Sequence, residues 1–271
     1  FPIIPAAILI FLVLGTIIAA TLIVAFASVP CPHVRLGFAH CDPNNAKCEN
    51  GIRRIPLNVL DVAGLVEGAH QGKGMGNQFL ADIAPADCLI VVADASGATD
   101  DEGNVCSPGT HAAERDVQVA LDELHHWMAD VLRRNAVKSK GRKFEEFAAL
   151  LTGVKVSIEQ LRQAYRATGL PEDGFAGHAK EEYLQLAVEL QKITKPFVIA
   201  ANKSDSPHAG ENVEKLREAF PEAKVVPTAA AMEVALHAAH AHGYINYTQM
   251  SPGTDGPPKD ALWTAGSKPL E

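Results

Sequence analysis

Three short polar runs stand where aliphatic runs stop, and each carries side chains suited to holding a nucleotide. Asp61-Val62-Ala63-Gly64 follows IPLNVL, Asn202-Lys203-Ser204-Asp205 follows PFVIAA, and Thr228-Ala229-Ala230 follows KVVP. An acidic residue at a strand's carboxyl end, such as Asp61, can hold Mg²⁺ through water. Gly64 lets a backbone N–H approach a γ-phosphate with no side chain in the way. A carboxylate accepts together from the N1–H and exocyclic NH₂ of guanine, so Asp205 can distinguish guanine from adenine. Asn202 would tie neighbouring loops together, Lys203 would lie over the base or sugar, and a backbone N–H near Ala229 would meet guanine O6. Each run alone also reads as a surface turn. Their succession at strand ends is what points to nucleotide chemistry.

Two other groupings could do chemistry. Cys31, His33, Cys41 and Cys48 follow the spacing C-x-H-x₇-C-x₆-C on a Pro- and Asn-rich stretch. They can close a tetrahedral Zn²⁺ site or stand as reduced structural thiols. Arg133, Arg134, Lys138, Lys140, Arg142 and Lys143 form an acid-free basic run. It reads either as a solvated helix end or as a contact for RNA phosphates.

The elements that must position these residues follow from the apolar patterning. Strands are expected at Ile55–Asp61, Cys88–Asp94, Pro196–Asn202 and Lys224–Thr228. Helical periodicity covers Asn77–Ile83, Ala112–Arg134, Ser157–Thr168, Lys180–Ile193, Glu211–Phe220 and Met232–His242. Near-continuous aliphatic strands alternating with helices predict a doubly wound α/β fold with a mostly parallel sheet. Ligands in such folds bind beyond the carboxyl ends of the strands. Residues 105–194 are almost wholly helical and too long for one crossover, so they are expected to form an inserted helical subdomain.

The chain has 271 residues, 47% of them apolar, with a net charge of −8, which excludes disorder and wholesale nucleic-acid coating. Five cysteines without regular spacing argue against a secreted disulfide scaffold. Residues 1–34 carry no charge, and residues 3–27 are long and apolar enough to cross a bilayer as a helix. The alternative for this segment is a buried strand, Ile8–Leu14, turning at Gly15 into a helix. No initiating Met is present, so the start of the protein is expected to lie elsewhere.

The run DVAGLVEGAHQGKGMGNQFL, residues 61–80, resembles the signature of the Obg-like GTPases, in the Obg-like ATPase (YchF) branch. The similarity continues through CLIVVADASGATDDEGNV, HHWMADVLRRN and KPFVIAANKSD, covers residues 29–245, and is nearest to archaeal-type members. It implies a P-loop G domain (31–104 and 195–246) with a helical insertion (105–194), nucleoside triphosphate hydrolysis, Mg²⁺ and ribosome association in the cytoplasm. Members that prefer ATP alter the base-reading motif. Asn202, Lys203 and Asp205 keep the guanine type, so GTP and GDP are the expected ligands. Leu65 stands where a Ras-type GTPase has its water-positioning Gln, and His70 is a candidate substitute or an ordinary loop histidine.

The sequence also departs from that pattern. It contains no G-x-x-x-x-G-K-[ST], only Gly15-Thr16 within the apolar run, and no Lys before Lys47. The family's C-terminal TGS domain is not present, and residues 247–271 are expected to be a flexible tail. Three readings remain open: a nucleotide hydrolase or its degenerate fragment, a non-catalytic nucleotide- or RNA-binding module, and a membrane-anchored G domain.

Overall fold

A computed structural model describes residues 21–39, 41, 47–62, 68, 82–100, 103–247 and 263–265. The chain divides into two compact units, residues 62–227 and residues 1–61 with 228–271.

The unit of residues 62–227 is built on a parallel three-stranded sheet. The aliphatic runs Leu89–Asp94 (β4), Phe197–Asn202 (β5) and Lys224–Pro227 (β6) pair in the order β4-β5-β6. Their register sets Asp94 opposite Asn202. Between these strands the chain forms α2 (Ala113–Lys138) and α6 (Ala209–Ala219). Val117 and Leu121 of α2 and Val213 and Leu216 of α6 are buried in one core with Ala93, Ile199 and Val225. Small residues at Ala93 and Ala201 let the helices approach the sheet closely.

The second half of α2 leaves that core for another. Leu124, Met128, Leu132 and Ala136, spaced for one helical face, pack with α3 (Phe144–Ala149), α4 (Ile158–Thr168) and α5 (Lys180–Thr194). These helices therefore have a hydrophobic core of their own. Phe147 and Phe175 stack with centroids 4.7 Å apart, and Phe144 meets Tyr165 edge-on at 5.2 Å. Ser157 starts α4 with a capping box closed by Gln160, and Gly169 ends it in the left-handed conformation. Lys195 is buried after α5, where its ammonium donates to the carbonyls of Ile83, Ala84 and Ala86. Expected helix boundaries agree with these elements within a few residues. The helix expected at 77–83 lies mostly outside the described residues.

The other unit is organised by an antiparallel sheet, contrary to the expectation that the strand before Asp61 joins the parallel one. Strand β3 (Ile52–Asp61) lies between β1 (Thr21–Pro30) and the short β2 (Lys47–Glu49), antiparallel to both. Aliphatic content carries no information about strand direction, which between β2 and β3 is set by a tight turn. Asn50 and Gly51, at φ 51° and 79°, make the two-residue turn between β2 and β3.

Residues 21–27, expected at the end of a membrane span or in a helix after Gly15, are instead part of β1. One edge of it pairs with β3 from Thr21–Asp61 to Pro30–Ile52. Among the described residues no helix is long and apolar enough to cross a membrane. Residues 3–20, including the strand expected at Ile8–Leu14, lie outside the described residues. After α7 (Ala230–Ala241), Ile245–Tyr247 (β7) pairs antiparallel with Trp263–Ala265 (β8), so the expected tail contains a strand.

Candidate functional site

The parallel sheet gathers a polar network at the carboxyl ends of β4 and β5. Asp94 closes β4 and Asn202 closes β5, and the Asn202 carbonyl accepts from the Ala95 N–H at 2.8 Å. The Asp94 carboxylate accepts from the Ser96 N–H (2.9 Å) and hydroxyl, and from Lys203 Nζ at 2.6 Å. Lys203 also donates to the Thr99 hydroxyl at 2.9 Å. Its ammonium is therefore anchored between Asp94 and Thr99. Lys203 itself sits in the left-handed region, φ 60°, uncommon for a residue with a Cβ. Asp205, two residues further, is exposed.

The loop leaving β4 is held from several sides. Gly97, at φ 59°, permits a turn in which a Cβ would lie 2.6 Å from the His111 carbonyl. Asp116 accepts from the Asp94 N–H and bonds His111, both at 2.8 Å, while Asn212 donates to the Ala95 carbonyl at 2.9 Å. Ser96, Thr99, Asp116 and Asn212 were not singled out from the sequence, because isolated polar residues in DASGAT and on helices carry no spacing signal.

The remaining expected site residues fall elsewhere. Asp61 ends β3, half-buried and paired in register with Thr21, in the other unit. Thr228 to Ala230 also belong to that unit. The Thr228 hydroxyl is buried with no hydrogen bond among the described residues, and Ala229 caps the start of α7. Gly64, Leu65 and His70 lie outside the described residues.

Cys31, His33, Cys41 and Cys48 are brought together. Pro30 ends β1, the Cys31 N–H bonds the Gly51 carbonyl at 2.7 Å, and the short helix α1 (Pro32–Arg35) presents His33. Hydrogen bonding to His33 pulls the Cys31 thiol down to about 6, while burial pushes Cys48 up to about 11. Arg53, opposite Cys48 in the β2–β3 register, donates to Cys41 Sγ at 3.1 Å. Neither Arg53 nor β2 was expected, although the Asn50-Gly51 dipeptide is a hairpin signal. The six basic residues from Arg133 to Lys143 are all exposed, with Arg133 paired to Asp130 and Arg142 to Glu146.

Comparison with known proteins bears directly on the β5–Asp205 loop. Residues 200–261 match the model of the Obg-like GTPase YGR210-like, G4 motif-containing domain. The chain is 41% identical over 228 residues to an uncharacterised GTP-binding protein of Methanocaldococcus jannaschii, covering 82% of this chain and 56% of that protein. It is 31% identical to an uncharacterised GTP-binding protein of Schizosaccharomyces pombe, covering 91% and 61%. The crystal structure of a GTP binding protein from Pyrococcus horikoshii OT3 superposes with a TM-score of 0.66 at 30% identity, covering 83% of this chain and 62% of that one. The chain is thus similar to proteins of the Obg-like GTPase family.

The chain spans 56% and 61% of the length of those two curated relatives. Its fold class, α/β with a parallel sheet, is that of the P. horikoshii protein.

The Asp94 network should show in the pH dependence of stability. Burial alone would raise the Asp94 pKa, but hydrogen bonds from Lys203, Ser96 and Thr99 and the Lys203 charge hold it below the usual carboxylate range. A carboxyl with a lower pKa folded than unfolded stabilises above the unfolded value, ~3.9, and that contribution is lost as pH falls further. Melting temperature measured against pH should therefore separate the wild type from Asp94→Asn above about pH 5, with the gap closing below about pH 4. A gap that stays constant to low pH would show that Lys203 and Ser96 do not hold the charged form.

Proposed function

We propose that this chain is the base-reading part of a GTP-binding protein of the Obg-like family, selective for guanine over adenine nucleotides. The reading rests on the loop Asn202-Lys203-Ser204-Asp205 at the carboxyl end of β5, with Lys203 anchored on Asp94 and the Asp205 carboxylate open to solvent. That carboxylate can accept both donors of the guanine edge, which adenine lacks. Thr228, Ala229 and Ala230 would add a backbone donor for guanine O6. In the phosphate region, Asp61 would hold Mg²⁺ through water, Gly64 would offer a backbone N–H, and His70 would orient water beside Leu65. The domain division that goes with this reading is a G domain of residues 31–104 and 195–246 with the helices of 105–194 inserted, in the cytoplasm.

Competition against a labelled guanine nucleotide tests the proposal. GTP and GDP should displace the label and ATP should not. Losing a buried polar pairing costs ~1–3 kcal/mol, so Asp205→Ala should weaken GDP binding roughly 5- to 150-fold and remove the preference. Equal competition by ATP and GTP in the wild-type chain would overturn it.

A second reading concerns the corner between α2 and α3. Six exposed basic side chains lie along eleven residues without an acid among them in sequence. That arrangement favours a contact with RNA phosphates, as on a ribosome, although Asp130 and Glu146 neutralise part of it.

A further inference from the structure

The geometry points to a structural Zn²⁺ site formed by Cys31, His33, Cys41 and Cys48, independent of nucleotide binding. Their ligand atoms all lie within 4.8 Å of one another, although the residues span three separate stretches of chain. Tetrahedral zinc with Zn–S of ~2.3 Å and Zn–N of ~2.0 Å requires S···S edges of about 3.8 Å and S···N edges of about 3.5 Å. Cys48 Sγ lies 3.6 Å from His33 Nδ1, and Cys31 Sγ lies 3.3 Å from Cys41 Sγ. One ligand set of this size fits around a single ion with small adjustments.

Two further observations favour a metal over four reduced thiol and imidazole groups in casual contact. First, among the described residues no apolar cluster gathers these side chains. Val34, Leu36 and Phe38, the large apolar residues between the first two ligands and Cys41, are each more than 60% exposed. A segment without a core of its own needs a crosslink to hold four side chains at one point. A disulfide between Cys31 and Cys41 would need ~2.05 Å between sulfurs and would leave Cys48 and His33 unused.

Second, the charge is arranged for thiolates. Three Cys thiolates and a neutral His around Zn²⁺ leave one negative charge, and the Arg53 guanidinium lies 3.1 Å from Cys41 Sγ. Arg53 Nε is buried with no hydrogen-bond partner among the described residues. Its position opposite Cys48 in the β2–β3 register keeps the cation beside the sulfurs. Soft thiolates with one imidazole select zinc over magnesium or calcium. Binding would release the thiol protons to solvent and tie α1, β2 and the start of the β1 connection together.

Elemental analysis of the whole chain, purified under reductant with zinc supplied, should find about one zinc per chain. Titration with Co²⁺ should produce thiolate-to-metal charge transfer and the d–d absorption of a tetrahedral site. Cys48→Ser and His33→Ala should lower metal affinity by tenfold or more, whereas Cys88→Ser, at an exposed thiol outside the cluster, should not. The Co²⁺ titration uses the wild-type chain, so it remains decisive if a variant fails to fold. Less than about a tenth of an equivalent of zinc with no cobalt charge transfer would overturn the site. So would an intact Cys31–Cys41 disulfide in reduced preparations, or full metal content in both variants. None of these readouts depends on nucleotide, so failure here leaves the guanine reading standing.

Discussion

With GTP and Mg²⁺, this 271-residue chain should release phosphate at a rate close to that of buffer alone. Phosphoryl transfer depends on positioning and on stabilising charge that develops on the phosphoryl oxygens. A phosphate loop supplies most of that through a nest of backbone N–H groups, a Lys for the β/γ-phosphates and a Ser/Thr for Mg²⁺. The sequence contains no G-x-x-x-x-G-K-[ST] to provide them, while Asp61 and Gly64 are present. Losing those donors removes several kcal/mol of transition-state stabilisation, at ~1.4 kcal/mol per tenfold in rate, so a deficit of about 10³-fold or more is expected. Leu65, being apolar, cannot orient a water molecule. Base selectivity at Asp205 should persist, because the Asp94–Lys203 contact lies in a different part of the chain. Robust phosphate release that disappears in Asp61→Ala would show that another segment does the work of the loop.

Phe147→Ala should be the most destabilising single change among the helices of residues 113–194. The side chain is completely buried and stacks on Phe175 with rings 7° from parallel, while Phe144 meets it edge-on at 6.0 Å. Truncation loses the transfer energy of the ring and leaves a cavity walled by other large side chains that cannot close in. Such changes cost ~3–5 kcal/mol, a large part of a typical domain stability of 5–15 kcal/mol. For a unit of this size the melting temperature should fall by about 10 °C. Phe147→Leu keeps much of the volume and should cost under half as much. A shift of only a degree or two by calorimetry for Phe147→Ala would mean that the aromatic cluster does not hold the helices.

The place of the candidate site was legible in part because its residues sit in contiguous runs. Asn202-Lys203-Ser204-Asp205 announces itself by following an aliphatic strand, and the structure puts it at a strand end as expected. The partners that hold it in place were not legible. Asp94 and Lys203 are far apart in sequence, and only the parallel β4–β5 register brings them within 2.6 Å. Lys195 gives the same lesson. A lysine after KIT reads as a surface residue, yet three carbonyls of residues 83–86 accept from its ammonium in the interior.

Local periodicity by itself determined the strands β4, β5 and β6 and the helices α2, α4 and α5. These are short-range properties: hydrophobic spacing, a Ser157 cap and glycine at a helix end act within a few residues. Strand direction, partner choice and the convergence of distant side chains are not short-range. An apolar run such as TLIVAFASVP suits a spanning helix or a sheet strand alike, and pairing with β3 decided for the sheet. The four ligands around Cys31 likewise acquire a common centre only when the β2–β3 hairpin folds back, because sequence spacing measures distance along the chain and metal coordination depends on distance through space.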